Sequence, residues 1–489
     1  MRFVLKKLGG KILASKKYKV RLRFAHGSEI ANYTREETPD ISVHFKTRKA
    51  EWFSVLFFYE GAFDEYVAGN VDIVGDNPLT KLMDIGWEVG ILSSKEHNPK
   101  KRHPIYSFQN PLHGLRMMWQ QFWQNNQNYK QAKTNAEYHY AIHPKLFEYM
   151  LGPTVGYCEG YWVEGTETLD QAKHNIYEYI CRKLRLEPGM HVVDVGAGWG
   201  FLPLYMAKNY GVRVTVYNPV KRQNEYMQRR FQEHGVADKI RIIEGEHHDI
   251  MQEPETFDRF VSTGVHEHHG LDKDMYHLWW KAIAAALKPG GIGLISTSSL
   301  NHRNASNYLS LRYTWPGGHL PSIPHEIAEL DEHGIMLIEL ENLWPHYQKT
   351  VAEWRERFKK YWPEIQASDP QFFDERFRRH WTTIYLEGIS ETFFHNLDNS
   401  HILFQKGRDS THYPWTREFK YDCDFRTGDD AVECYPISDC AITTTVPLAT
   451  TQVASPFVPS VSRIISKLTK RHSKKKAHAD EEGAAEISA

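Results

Sequence analysis

The chain has 489 residues, 60 Lys+Arg against 61 Asp+Glu, and a formal net charge of -1. That length suffices for two or more domains with full cores, and a hydrophobic fraction of 41% excludes wholesale disorder. The near-zero charge argues against wrapping nucleic acid by bulk electrostatics, and no apolar run approaches the ~20 residues of a membrane-spanning helix.

Five cysteines, Cys158, Cys181, Cys423, Cys434 and Cys440, form no CxxC pair, so neither a disulfide framework nor a zinc knuckle is expected and a reducing compartment is. Residues 1–35 are expected to form a basic N-terminal arm. Met1 to Phe24 carries Arg2, Lys6, Lys7, Lys11, Lys16, Lys17, Lys19, Arg21 and Arg23 and no acid, with Leu5, Leu8 and Ile12 at helical spacing. Three readings stay open for it: an amphipathic arm on an anionic membrane, a mitochondrial targeting segment, or a solvated terminus.

Residues 36–95 are expected to form a small α+β domain. ISVHFK alternates like a half-buried strand, and GAFDEYVAGNVDIVGDN has the Gly/Asp/Asn punctuation of turns. Residues 96–135 read as a linker with a helix. From 136 to 410 strands and helices alternate, as in a parallel α/β sheet. Residues 411–489 read as a largely disordered extension. Within it Val461, Ile464, Ile465 and Leu468 share one helical face above the basic run Arg463 to Lys476.

HVVDVGAGWGF is the most informative segment. His191 to Val195 is a short apolar run suited to a buried strand, and it ends in Gly196, Gly198 and Gly200. Glycines there let the backbone approach a nucleotide at the carboxyl edge of a sheet. The spacing is GxGxG, with Phe201 where the dinucleotide fingerprint needs its third glycine. Asn218, not an acid, closes the next strand. The Walker pattern is absent. What remains is the DxGxGxG loop, beginning at Asp194, of S-adenosylmethionine (SAM) methyltransferases. IRIIEGE, FDRFVSTGV and LKPGGIGLIST supply three further strands in the order such a Rossmann-like sheet requires.

HYAIHPKLFEYMLGPTVGYCEGYW, LEPGMHVVDVGAGWG, STGVHEHHG, YTWPGGHLPSIPHEIA, HYQKTVAEWRERF and YLEGISETFF, in that order, resemble the cyclopropane-fatty-acyl-phospholipid synthases and mycolic acid methyltransferases. The resemblance implies transfer of a one-carbon unit from SAM to a cis double bond in a phospholipid acyl chain. Tyr140, Asp194, Gly196, Gly198, Gly200, Asn218, Gln223, Glu246 and His247 would then hold SAM. Tyr157, Glu159, Glu267, His268 and Tyr347 would line the acyl-chain and base site. Such a site needs aromatic faces for a carbocation and one placed base; it needs no nucleophilic Ser, Cys or Lys.

The chain departs from the family where the family holds bicarbonate as its base. Glu159 stands at the site cysteine, with Cys158 one place earlier, and Ser296 stands at the histidine; Glu267 and Tyr347 remain. Two like charges disfavour a bound bicarbonate, so the Glu159 carboxylate is expected to serve as base and bicarbonate use is doubtful. A moved base leaves open a methyl- or methylene-branched product. A different lipid or small-molecule acceptor and a non-catalytic lipid-binding role also stay open. HEHH and EHHD lack metal-ligand spacing, so no metal is expected. A cytoplasmic enzyme peripherally bound to the bilayer, and a homodimer, complete the expectations.

Overall fold

The computed structural model describes residues 9–34, 37–89, 115–116, 118–119, 129–140, 142–268, 273–300, 312–388, 397–408, 413–421, 425–430 and 432. The first eight residues of the basic arm, most of the 96–135 segment and the basic run from 463 to 476 lie outside them.

A four-stranded sheet comes first, in the order β2-β1-β3-β4: β1 (Val20–Arg23), β2 (Glu29–Ala31), β3 (Ile41–Phe45) and β4 (Val71–Gly75). β1 runs parallel to β3, Val20 beside Ile41, and antiparallel to β2. This corrects the expectation of a separate arm. Val20, Leu22 and Phe24 alternate into the core while Arg21 and Arg23 point outward. Burying such side chains yields about 1.5–3 kcal/mol each, enough to hold the strand in place despite its charge. GAFDEYV, read as turn-rich, lies in the helix Phe58–Val67; only Ala68 to Asn70 turn into β4.

The second sheet has seven strands in the order β10-β11-β9-β8-β5-β6-β7. β5 (His191–Val195), β6 (Arg213–Tyr217), β7 (Ile240–Ile243), β8 (Phe257–Thr263) and β9 (Leu287–Ser299) are parallel. β11 (Asp398–Lys406) and β10 (Ile335–Asn342) add antiparallel at the β9 edge, so the sheet is mixed rather than wholly parallel. Antiparallel strands tolerate water on one face, which suits the edge strand β10, where Leu340 and Asn342 are exposed while Glu339 and Glu341 turn towards buried Lys183.

Both faces of this sheet are covered. Val192 packs towards Ile176, Ile180, Phe201 and Leu204, and Val193 and Val195 towards Trp279, Trp280 and Ile283. The helix Leu169–Lys183 starts at a capping box in which Thr168 and Gln171 satisfy each other's backbone N–H groups. A third cluster, with Phe147, Trp199, Trp354, Trp381 and Tyr385, contains three tryptophans and is fully buried. No helix among the described residues is long and apolar enough to cross a membrane.

Candidate active site

β5 ends in a turn whose glycines all lie in the left-handed region: Gly196 at φ 76°, Gly198 at 57° and Gly200 at 80°. A Cβ at Gly196 would sit 2.3 Å from Val265, and one at Gly200 2.6 Å from Met227. At Gly198 it would meet nothing within 4 Å. The first and third glycines therefore let the turn pack, and the second leaves bare backbone facing open space. That space is a cavity lined by the turn and by Tyr140, Tyr157, Asn218, Gln223, Glu246, His247 and His268.

The polar groups around it are arranged from the strand ends. Asn218 Nδ2, beyond β6, donates to Asn224 Oδ1 at 2.8 Å and to Gln223 Oε1 at 3.3 Å. Glu246 follows the shortened β7 and caps the turn His247–Gln252, accepting from the Asp249 N–H. Burial, then the neighbouring His248 and His266, lower His247 to about 3, so its ring is neutral.

Asp194 does not line the cavity but lies at the base of the glycine turn, 1% exposed, with neither carboxylate oxygen hydrogen-bonded. Burial pushes its carboxyl up to about 8. An acid left without a partner in a dry site is costly, and a cation held beyond the turn would offset that cost through space. Together with bare backbone at Gly198, this fits a cationic, nucleotide-bearing group such as SAM.

The other side of the cavity is aromatic. Tyr140 Oη lies 2.9 Å from His268 Nε2 in a hydrogen bond, and burial lowers His268 to about 4, so the ring is neutral. His139 Nδ1 donates to the Thr314 carbonyl at 2.9 Å, leaving Nε2 to accept from Tyr157 Oη at 3.1 Å. Burial, with His268 nearby, holds His139 neutral, at about 3. Phe147, Trp354 and Tyr385 surround the Tyr157 ring at 5.5, 5.3 and 6.3 Å, and Tyr347 packs edge-on to Trp354.

Glu159, Glu267 and Tyr347 stand outside the lining of the cavity, although Cys158, next to Glu159, is part of it. β9 anchors both carboxylates two residues apart. Ser296 Oγ donates to Glu159 Oε1 at 2.8 Å, and the Ser298 N–H donates to Glu267 Oε1 at 2.6 Å. Glu159 is 1% exposed and also accepts from His401 Nε2 at 2.6 Å. Burial opposes its charge, but the hydrogen bond and electrostatic attraction of His401, then a backbone bond and the Ser296 bond, outweigh that and hold it at about 2. Burial raises Glu267 instead. Burial, then the charges of Tyr385, Glu159 and Glu267, raises Tyr347.

His401, His139 and Trp354 were not singled out in the sequence. His401 sits in a mostly polar strand, DNSHILFQK, far from the motifs, and only the pairing of β11 with β9, which sets His401 opposite Ser296, reveals it. The HEHH and EHHD segments bring no metal-ligand cluster together among the described residues. The group that does converge, within 4.8 Å, is His277, Glu329 and His333, where His333 Nδ1 already bonds the Glu329 carbonyl at 2.8 Å.

Residues 127–402 match the family described as mycolic acid cyclopropane synthetase. The chain is 32% identical over 286 residues to the cyclopropane-fatty-acyl-phospholipid synthase of Escherichia coli K12, covering 58% of this chain and 70% of that one. It is 31% identical over 302 residues to a probable fatty acid methyltransferase of Pseudomonas putida, covering 59% and 74%. Among solved structures, mycolic acid cyclopropane synthase CmaA1 complexed with SAH and CTAB superposes with a TM-score of 0.51 at 26% identity, over 56% of this chain and 98% of that one. With the glycine turn, the orphaned acid and the aromatic wall in place, the chain belongs to the mycolic acid cyclopropane synthetase family and is a SAM-dependent methyltransferase.

Proposed function

We propose that the enzyme transfers the one-carbon unit of SAM to the cis double bond of an unsaturated fatty acyl chain in a phospholipid, with the Glu159 carboxylate as base. The observation that carries this reading is Glu159 itself: a buried, ionised carboxylate held by Ser296 and His401, at the position where the resemblance expects the cysteine of a bicarbonate site.

When bound, SAM supplies an electrophilic methyl on a sulfonium. Gly196, Gly198, Gly200, Asn218, Gln223, Glu246 and His247 would bind its nucleoside and amino-acid parts, with Asp194 answering its positive charge. Tyr140, fixed on His268, would close the methyl side and exclude water, because an isolated alkene is too weak a nucleophile to compete with it.

Attack of the alkene electron pair on the methyl carbon breaks the S–C bond and leaves a carbocation on the acyl chain. The rings of Tyr157, Trp354, Tyr347 and Tyr385 can stabilise that cation without trapping it. Glu159 then takes a proton from the transferred carbon, and the released C–H pair closes the ring. A carbocation is a far stronger acid than a carboxylic acid, so a carboxylate held at low pKa is a sufficient base; what matters is that it is ionised and placed. Glu267, on the same strand end, would orient the acyl chain or Tyr347 with its neutral or charged carboxyl.

The proposed acceptor lies in a bilayer, and the exposed apolar side chains Leu115, Met118 and Trp119 support docking on a lipid surface. Expression in a host with unsaturated phospholipids tests the whole reading. Mass spectrometry should find acyl chains heavier by one methylene unit, and NMR should show cyclopropane protons. Unchanged lipids, or mass gain only on a sterol or amine, would reject it.

A further inference from the structure

β8, β9, β11 and β10 place four residues directly opposite one another across the sheet: Thr263 beside Ser296, Ser296 beside His401, and His401 beside Glu341. Facing residues in a sheet share a side of it. Glu159 caps this row at Ser296 and His401. From the helix Leu169–Lys183, Lys183 enters between His401 and Glu341, its ammonium 3.2 Å from His401 Nδ1, in contact with Glu341 Oε2, and 3.3 Å from Glu339. Lys183 and His401 are both 0% exposed.

An ammonium has only donors, so it makes His401 Nδ1 the acceptor. A neutral His401 must then carry its proton on Nε2, the nitrogen 2.6 Å from Glu159. Burial, reinforced by the Lys183 charge, lowers His401, so the neutral ring is the resting form. The other tautomer would set a lone pair against the Glu159 carboxylate, which would relieve that repulsion only by holding a proton and so could not act as base. The ionisable groups facing the row are Lys173, Lys183, His346, Glu339, Glu341 and Lys420, the last pairing Glu339 at 2.7 Å.

We propose that His401 and Lys183 are positioning residues: Lys183 fixes the His401 tautomer, and His401 thereby holds Glu159 ionised and aimed. The inference rests on Glu159 being the base.

The test is steady-state kinetics of the full chain, read as methylated lipid, with pH profiles and SAM affinities. His401→Ala should lower kcat by about 10-fold or more, shift the acid limb of the profile upward and leave SAM affinity within about 3-fold. His401→Gln keeps an N–H donor without a tautomer and should recover most of kcat. Lys183→Met combined with Glu341→Gln, which avoids an orphan charge, should lower kcat in the native background yet add nothing to His401→Gln. Should His401→Ala not fold, His401→Leu reads the same quantity. A His401 variant with native kcat and an unmoved acid limb overturns the proposal. So does a Lys183→Met/Glu341→Gln loss that is equal in both backgrounds. Full activity of Glu159→Gln would remove the base reading itself, whereas an inactive Glu159→Gln beside a native His401→Ala would remove the positioning role alone.

Discussion

Ser296 Oγ donates a 2.8 Å hydrogen bond to Glu159 Oε1 across 137 residues of chain. These are the two positions at which the resemblance sets a histidine and a cysteine of a bicarbonate site. Here a serine and a glutamate satisfy each other, and in the proposed reaction the Glu159 carboxylate is the anion built into the chain.

Glu159→Gln removes the base while keeping shape and hydrogen-bonding capacity. General-base catalysis contributes about 10²–10⁴-fold, so kcat should fall in that range with SAM affinity nearly unchanged. Rapid-quench measurement of methylated lipid, with calorimetry for SAM, separates the two.

Restoring the family pattern, Glu159→Cys with Ser296→His, should leave an enzyme that is slow alone and stimulated by added bicarbonate. Glu159→Cys alone should gain little from bicarbonate, because Ser296 supplies one hydroxyl where a histidine is needed. Turnover against bicarbonate concentration distinguishes the two variants.

Asp194 sets a pH signature on SAM binding. Its folded value, about 8, lies above the ordinary 3.8, so the unfolded chain ionises first and this group's contribution to stability falls as pH rises from about 4 to about 8. Binding a cation beside it should draw off the proton. Calorimetry at pH 7 in buffers of different ionisation enthalpy should therefore report release of close to one proton per SAM, and Asp194→Asn should abolish the release while stabilising the ligand-free enzyme at pH 8.

The glycine turn separates packing from binding. Gly196→Ala collides with Val265 at a positive φ and should destabilise the fold by about 1–3 kcal/mol. Gly198→Ala meets open space, so its methyl should occupy the SAM cavity. Thermal melts should show the larger loss for Gly196→Ala than for Gly198→Ala, and SAM titration should show weakened binding in the latter.

The glycine turn was legible in the sequence because its constraint is local: each glycine is demanded by its own backbone angle and nearest neighbour. The strand order β5 to β9 followed from the same local periodicities. The row through Ser296 and His401 was not legible, because it exists only once β11 pairs antiparallel with β9, and one histidine among the other polar residues of DNSHILFQK announces nothing. The β1 segment shows the opposite failure. Charge counted along Met1 to Phe24 suggested a free arm, whereas the alternation Val20, Leu22, Phe24 was the stronger physical signal. A strand can carry any charge on its wet face provided its other face is apolar.

In the proposed reaction a carboxylate of this chain does the work of bicarbonate. Turnover in buffer freed of carbon dioxide and bicarbonate, with unsaturated phospholipid vesicles and SAM, measures it directly. Glu159 as base predicts a rate unchanged on adding bicarbonate to the depleted enzyme. A rate that collapses on depletion and returns with bicarbonate would contradict it.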